Sequence, residues 1–202
     1  MIAILLPTRG LIFEQTIKSV SNIPNSTLIT VSGMPIPEAQ NWLVTEALGA
    51  PDVTHLYFVE EDMEIPEGTL EKMLDLNKDV VCVDYPVNGG WSTIKRVDRE
   101  IQHCGLGCTL VKREVFERLS EPWFRTDKSV DAKTEEILDI PMKYGGHDIF
   151  FGIAVRKAGY KITQLEGVEC GHLRCEQLVR REDNDNRYEI RRLDKISKYQ
   201  ND

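Results

Sequence analysis

Residues 2–6 form an uninterrupted apolar run that Pro7 closes, a pattern that suits a strand buried on both faces better than a helix. After Gly10, Leu11, Phe13, Ile17 and Val20 recur at helical spacing and predict a helix that ends by Asn22 and Pro24. Residues 27–32 then read as a second strand. Pro37 suits a first helical turn, and Ala39, Trp42, Leu43 and Ala47 make one apolar stripe up to the terminator Gly49. Residues 55–59, rich in aromatic and apolar side chains, predict a third buried strand that runs into Glu60, Glu61 and Asp62. Pro66 and Glu67 open another helix with Leu70, Met73 and Leu74 inward, and residues 79–83 are a fourth strand. Strands alternating with helices at this spacing predict an α/β layered fold.

The second half is less regular. Residues 91–102 read as a polar hairpin or loop, 105–111 as a glycine-containing strand and 114–119 as a short helix. Residues 120–144 carry two prolines and many charges with weak periodicity, the profile of a long functional loop or lid. Residues 147–158 predict a helix with Ile149, Phe150, Ile153 and Ala154 inward and Gly159 as its stop, followed by a strand at 161–165. From Arg174 onward Leu178, Ile190, Leu193 and Ile196 are the sparse apolar positions of a charged tail, either a solvated helix on the body or a partly disordered segment. The expected organisation is one domain over residues 1–173 and a charged helical tail over 174–202.

Composition narrows the function classes. At 202 residues, 41% hydrophobic and 29% charged, the chain can bury a substantial core. Thirty-three acidic against 25 basic residues give a net charge of −8 and a pI near 5.1, which disfavours a general nucleic-acid binder. No apolar run approaches the roughly 20 residues that cross a bilayer, and the opening run is too short for a signal peptide, so a cytoplasmic protein is expected. Five cysteines, an odd number, then read as reduced thiols.

Glu60 and Asp62 stand two apart at the carboxyl end of a buried strand, so in extended geometry both side chains leave the same face and can share one cation. In open α/β sheets the ligand crevice lies outside those strand ends. The bland reading is an acidic turn, of which Glu64 and Glu67 are simply more. A zinc site is a rival: His103-Cys104 with Cys108, and Cys170-x-His172-x-x-Cys175, offer two clusters, though without the tight Cys-x-x-Cys pair of common zinc modules. Otherwise Cys82, Cys104 and Cys108 are small buried hydrophobes, and His55 and His103 satisfied structural histidines. Gly105-x-Gly107 is not a dinucleotide fingerprint, since Leu110 stands where a third glycine belongs. Neither a phosphate-binding loop ending in Lys-Ser or Lys-Thr nor a Gly-x-Ser-x-Gly nucleophile elbow is present.

The sequence Phe58-Val59-Glu60-Glu61-Asp62-Met63 resembles the Asp-x-Asp signature of glycosyltransferases with the A-type (GT-A) nucleotide-sugar-binding fold, and other pieces follow in that family's order. Residues 4–9 resemble the opening strand whose end touches the nucleotide, and Ala39-Gln40-Asn41 resembles an Ala-Arg-Asn helix start. Residues 105–116 resemble the acceptor-side strand and Arg-x-x-Phe helix. Gly145-Gly146-His147-Asp148, with Phe151 and Ala158-Gly159-Tyr160, resembles the Gly-Glu-Asp helix, and Cys170-Gly171-His172 the late metal-binding histidine. The likeness spans roughly residues 2–173 and is similar to the inverting, family-two-like enzymes. Glu60, Gln40 and His147 stand where that pattern has aspartate, arginine and glutamate.

The resemblance implies a Rossmann-like single domain, a mostly parallel sheet flanked by helices, that transfers a sugar from a nucleotide-diphosphate donor to a hydroxyl on a glycan, a protein or a modified DNA base. It implies Mn²⁺ or Mg²⁺ on Glu60, Asp62 and His172, since carboxylates with one imidazole suit those ions. Pro7, Thr8, Arg9, Gln40, Asn41, Glu60 and Glu61 are the implied nucleotide-sugar contacts. Asp148 is the implied base, with Trp91, Gly107 and His147 on the acceptor side. Trp91 and Trp123 are candidate stacking platforms or plain packing, and the tail a candidate homo-oligomer contact. A sugar-nucleotide nucleotidyltransferase, a non-catalytic GT-A-like protein and a zinc-binding scaffold remain alternatives.

Overall fold

The computed structural model of the chain describes residues 1–87, 91–130, 136–138 and 146–173. The elements in chain order are β1 (Ile2–Thr8), α1 (Glu14–Val20), β2 (Ser26–Ser32), α2 (Ile36–Gly49), β3 (His55–Val59), β4 (Met63–Glu64), α3 (Thr69–Asp75), β5 (Val80–Asp84), β6 (Pro86–Val87) and β7 (Trp91–Ser92). They continue as β8 (Lys95–Val97), β9 (Glu100–His103), β10 (Cys108–Lys112), α4 (Arg113–Arg118), β11 (Ser129–Val130), β12 (Ile137–Leu138), α5 (His147–Lys157), β13 (Ile162–Glu169) and β14 (Gly171–His172).

A six-stranded sheet in the order β13-β5-β10-β3-β1-β2 forms the centre. β1 runs parallel to β2 and β3, and β13 parallel to β5, while β10 is antiparallel to both its neighbours. The period of two in β1 explains how one strand feeds two cores. Ala3 and Leu5 enter the cluster under α2, α4 and α5, and Ile2, Ile4 and Leu6 enter the cluster under α1 and α3. Helices therefore cover both faces, as the alternating pattern predicted. Among the described residues four short two-stranded ribbons sit outside the sheet, and one of them, β4 with β14, builds the site.

Three helix faces differ from the simple periodic reading. Leu11 is 83% exposed and precedes α1, whose buried residues are Thr16 and Val20. Thr16 goes inward because its hydroxyl donates to the Glu61 carbonyl at 2.9 Å, so a polar residue takes the apolar position. In α2, Gln40 and Val44 are buried while Trp42 lies at the surface. In α5 the inward residues are Phe151, Gly152, Ile153 and Val155, not Ile149, Phe150 and Ala154. Gly152 sets that rotation: a Cβ there would lie 2.7 Å from His103 Cβ and 2.8 Å from its Cα, so β9 packs directly on the helix backbone.

Within the expected lid, two residues are anchored in the core. Trp123 and Phe124 are buried against Phe116, and the Trp123 indole donates to the Phe116 carbonyl at 3.1 Å, so Trp123 is core rather than a sugar platform. The rest of the expected lid at 131–135 and 139–145, Gly145 and Cys175, and the tail at 174–202 lie outside the described residues, as does the side chain of Trp91.

Candidate active site

The turn after β3 carries Glu60, Glu61 and Asp62, and their side chains separate into two roles. Glu61 is buried; its carboxylate accepts from the Thr8 hydroxyl at 2.6 Å, the Arg9 amide at 2.7 Å and the Arg9 guanidinium. Its carbonyl also accepts from Phe13 N at 3.0 Å. Glu61 thus braces the end of β1 against the end of β3, and Thr8 and the Arg9 backbone are held by it. The Arg9 guanidinium remains mostly in solvent and lies 3.6 Å from Asp62 Oδ2, at the rim of the site.

Glu60 and Asp62 face the other way, toward His172. Each of the three offers one ligand atom within 4.8 Å of the others, the one such group among the described residues. Chain-distant residues meet there because β14 pairs antiparallel with β4, with His172 opposite Met63, and Leu173 N donates to the Asp62 carbonyl at 2.6 Å. The His172 ring is held from both sides: Nδ1 lies 2.9 Å from the Pro86 carbonyl and Nε2 3.3 Å from Asp62 Oδ2. The hydrogen bond to Asp62 pushes the His172 pKa up against the opposing effect of burial. Burial, and next the Asp62 charge, raise Glu60 to about 7. The site thus concentrates negative charge in partly desolvated space, and two carboxylates with an imidazole anchored through Nδ1 are a donor set that fits Mn²⁺ or Mg²⁺.

The wall of the site is a tyrosine seated on two glycines. Tyr85, buried and edge-on to His172, accepts a 2.9 Å hydrogen bond from Gly107 N. A Cβ at Gly105 would fall 2.2 Å from the Tyr85 hydroxyl oxygen, and one at Gly107 would fall 2.7 Å from Tyr85 Cζ and 2.8 Å from Met63 Sδ. These glycines are close-approach residues, not a phosphate loop. Asp84 fixes the segment carrying Tyr85 by accepting from Tyr85 N, Thr93 N and Thr93 Oγ1 at 2.9 to 3.1 Å. The sequence reading missed both Asp84 and Tyr85; an Asp-Tyr-Pro run at the end of a buried strand is the signal that was present.

Asp148 lies in the first turn of α5, and its charge acts on Glu60, Tyr85, His103 and His147. His147 packs near Phe124, and burial pulls its pKa down. Among the described residues His147 Nε2 and His103 Nδ1 are buried without a hydrogen-bond partner, so this nitrogen of His103 is not satisfied as expected. In α2, Asn41 does not face the site freely. Its amide donates to the Pro37 and Phe124 carbonyls, each at 2.8 Å, and accepts from Phe124 N at 3.1 Å. Gln40 is buried with Oε1 unpartnered among the described residues. Pro7 is buried within β1.

The cysteines divide between the two cores, Cys82 and Cys104 on one face of the sheet and Cys108 and Cys170 on the other. Hydrogen bonding with Cys104, then burial, pushes the Cys82 thiol up, and hydrogen bonding with Cys108, then burial, pushes the Cys170 thiol up, which disfavours the reactive thiolate. His172 joins the carboxylates, and no cysteine–histidine metal cluster forms among the described residues.

No family model matches the chain, and no curated protein matches it in sequence. Solved structures do resemble it. A197 from STIV superposes with a TM-score of 0.64 at 20% identity, over 87% of each chain. GalNAc-T7, solved with UDP, GalNAc and Mn²⁺, superposes at 0.57 and 10% identity, over 85% of this chain. The catalytic domain of Drosophila β1,4-galactosyltransferase 7, in complex with xylobiose, does so at 0.52 and 14% identity, over 82% of this chain. The chain has a GT-A-like fold. It spans 43% of the GalNAc-T7 chain and 65% of the Drosophila catalytic domain. Within that GT-A-like fold, Glu60, Asp62 and His172 gather just beyond the carboxyl end of β3, where the ligand crevice of an open α/β sheet is expected. No helix among the described residues is long and apolar enough to cross a membrane.

Proposed function

We propose that this chain is a metal-dependent glycosyltransferase that moves a sugar from a nucleotide-diphosphate donor to a hydroxyl acceptor with inversion. The convergence of Glu60, Asp62 and His172 at the strand ends of a GT-A-like sheet carries this reading. Those three residues would hold Mn²⁺ or Mg²⁺, which when bound offsets the charge that grows on the departing diphosphate. Arg9, exposed at the rim beside Asp62, adds a cation on the donor side. Glu61 contributes by fixing Thr8 and Arg9, and Asn41 by fixing Phe124, rather than by touching the nucleotide.

Asp148 would take the acceptor's proton. As the acceptor oxygen bonds to the anomeric carbon, the bond from that carbon to the diphosphate oxygen breaks, and the hydroxyl proton passes to the Asp148 carboxylate. The rings of Tyr85, seated on Gly107, and His147 would border the acceptor, with Trp91 as a candidate platform. A glycan, a protein side chain or a modified DNA base each meets the requirement for a hydroxyl.

A thermal-shift screen of uridine, guanosine, cytidine and thymidine diphosphates, each with and without Mn²⁺, tests the donor site. A ligand that binds only the folded state raises apparent stability. Uridine diphosphate comes first because GalNAc-T7 was solved with UDP and Mn²⁺. Stabilisation by one diphosphate only with Mn²⁺ present, and its loss in Asp62→Asn, is the expected result; no metal-dependent shift with any nucleotide would overturn the reading.

A further inference from the structure

A concavity of about 530 Å³, away from the candidate site, lies between the β8–β9 hairpin and the turn from α5 into β13, at the opposite end of α5 from Asp148. Asp148 and Arg156 are eight residues apart in that helix, about 12 Å along its axis. Arg96, Arg99, Arg156 and Lys161 line the groove against two carboxylates, Glu100 and Glu166, in a chain whose net charge is −8. Local excess positive charge on an acidic body focuses the field at one spot.

The four cations are not equivalent. Arg96 is drawn across the groove to Gln164 and Glu166, and Arg156 is already engaged. Arg99 and Lys161 are exposed and have no hydrogen bond or ion pair among the described residues. Arg99 also occupies a costly place. Val97 pairs with Glu100 across a two-residue turn, and both turn residues are left-handed, Asp98 at φ 48° and Arg99 at φ 71°. Glycine or asparagine fits such a turn with less strain, so the chain holds a guanidinium at the groove mouth where local backbone preference does not ask for one.

We propose that this groove binds a compact phosphate group carried by a small molecule, with Arg99 and Lys161 as its principal contacts. A guanidinium offers a forked pair of donors and an ammonium a point charge, the usual combination for a phosphate dianion. The net charge of −8 disfavours a long nucleic acid, which gains its affinity from many phosphate contacts. The proposal does not depend on sugar transfer.

Isothermal titration of the full chain with inorganic pyrophosphate, in chelator and without divalent metal, tests it. The wild type, Arg99→Gln/Lys161→Gln and Asp62→Asn are compared, with circular dichroism verifying the fold and Arg99→Gln alone as the milder variant. The expected result is saturable binding, weakened at least about tenfold by the double substitution and unchanged by Asp62→Asn. Absence of binding up to about 10 mM, equal affinity in the double variant, or loss only in Asp62→Asn would each overturn the groove assignment. So would a single-stranded oligonucleotide that binds tightly and with a steep salt dependence while pyrophosphate does not. Failure of the donor site appears separately, in the Mn²⁺-dependent nucleotide screen.

Discussion

His172 reaches Asp62 through Nε2 at 3.3 Å while its Nδ1 lies 2.9 Å from the Pro86 carbonyl, so one imidazole ties β14 to the turn after β3 and to β6. A carbonyl can only accept, which commits a proton to Nδ1; without metal Nε2 carries a second proton and donates it to the Asp62 carboxylate, and loss of that second proton frees Nε2 as a ligand for a cation. His172→Ala and Asp62→Asn should therefore each weaken Mn²⁺ binding at least about tenfold. The thermal midpoint without metal should move little by comparison. Manganese binding can be followed by electron paramagnetic resonance of the free ion; undiminished affinity in both variants would remove these residues from the proposed site.

Glu60 gives the clearest pH prediction. Its folded pKa of about 7 lies above the ordinary carboxylate value of 4.5, because burial and the Asp62 charge both disfavour ionisation. Below the unfolded value both states carry the proton and Glu60 costs nothing. As pH rises toward the folded pKa the unfolded chain loses its proton first, so stability falls across that window and stays lowered above it. Without metal, Glu60→Gln should be more stable than the wild type at pH 8, by about 1 to 3 kcal/mol, and the difference should vanish near pH 4. Denaturant titrations at the two pH values check this, and Mn²⁺ should reverse the ranking at pH 8.

Tyr85 and its two glycines should behave as one unit. Gly107→Ala drives a methyl to within 2.7 Å of Tyr85 Cζ and 2.8 Å of Met63 Sδ, and Gly105→Ala to within 2.2 Å of the tyrosine oxygen. Each should cost about 1 to 3 kcal/mol as an overpacked contact. Tyr85→Phe, which strands the Gly107 amide, should cost about 1 to 2 kcal/mol. Combining Gly105→Ala with Tyr85→Ala should recover part of the loss, because removing the ring removes the clash. Strict additivity in that double-mutant cycle would contradict the packing described.

The sequence made the layered fold legible because the strands that carry it, β1, β3 and β5, are short apolar runs with clear breaks. Local pattern was weaker where a single tertiary contact decides a helix face, as at Thr16 on the Glu61 carbonyl and Gly152 against His103. Of the site, the spacing of Glu60 and Asp62 was visible locally, and alternation even separates Glu61 from them. His172 joined them only through the family resemblance and not through local pattern, because its contact depends on the β4–β14 ribbon, whose strands are two residues each. Tyr85 left only a faint trace, since its role lies in glycines that are remote in sequence.

Asn41 separates a contact implied by family likeness from one made by packing. Its side chain spends both donors and its acceptor on the Pro37 and Phe124 backbone, which pins Phe124 among Phe58, Phe116 and Phe151. Asn41→Ala leaves the Phe124 amide and carbonyl without those partners in a part-buried place, and should cost about 1 to 3 kcal/mol of stability. Asn41→Asp retains the acceptor but loses the donors, and should fall between the two. In neither variant should the affinity of the folded fraction for nucleoside diphosphate change by more than about twofold. Measuring denaturation midpoints beside nucleotide titration at low temperature decides the matter: a large loss of affinity with stability intact would return Asn41 to the donor site.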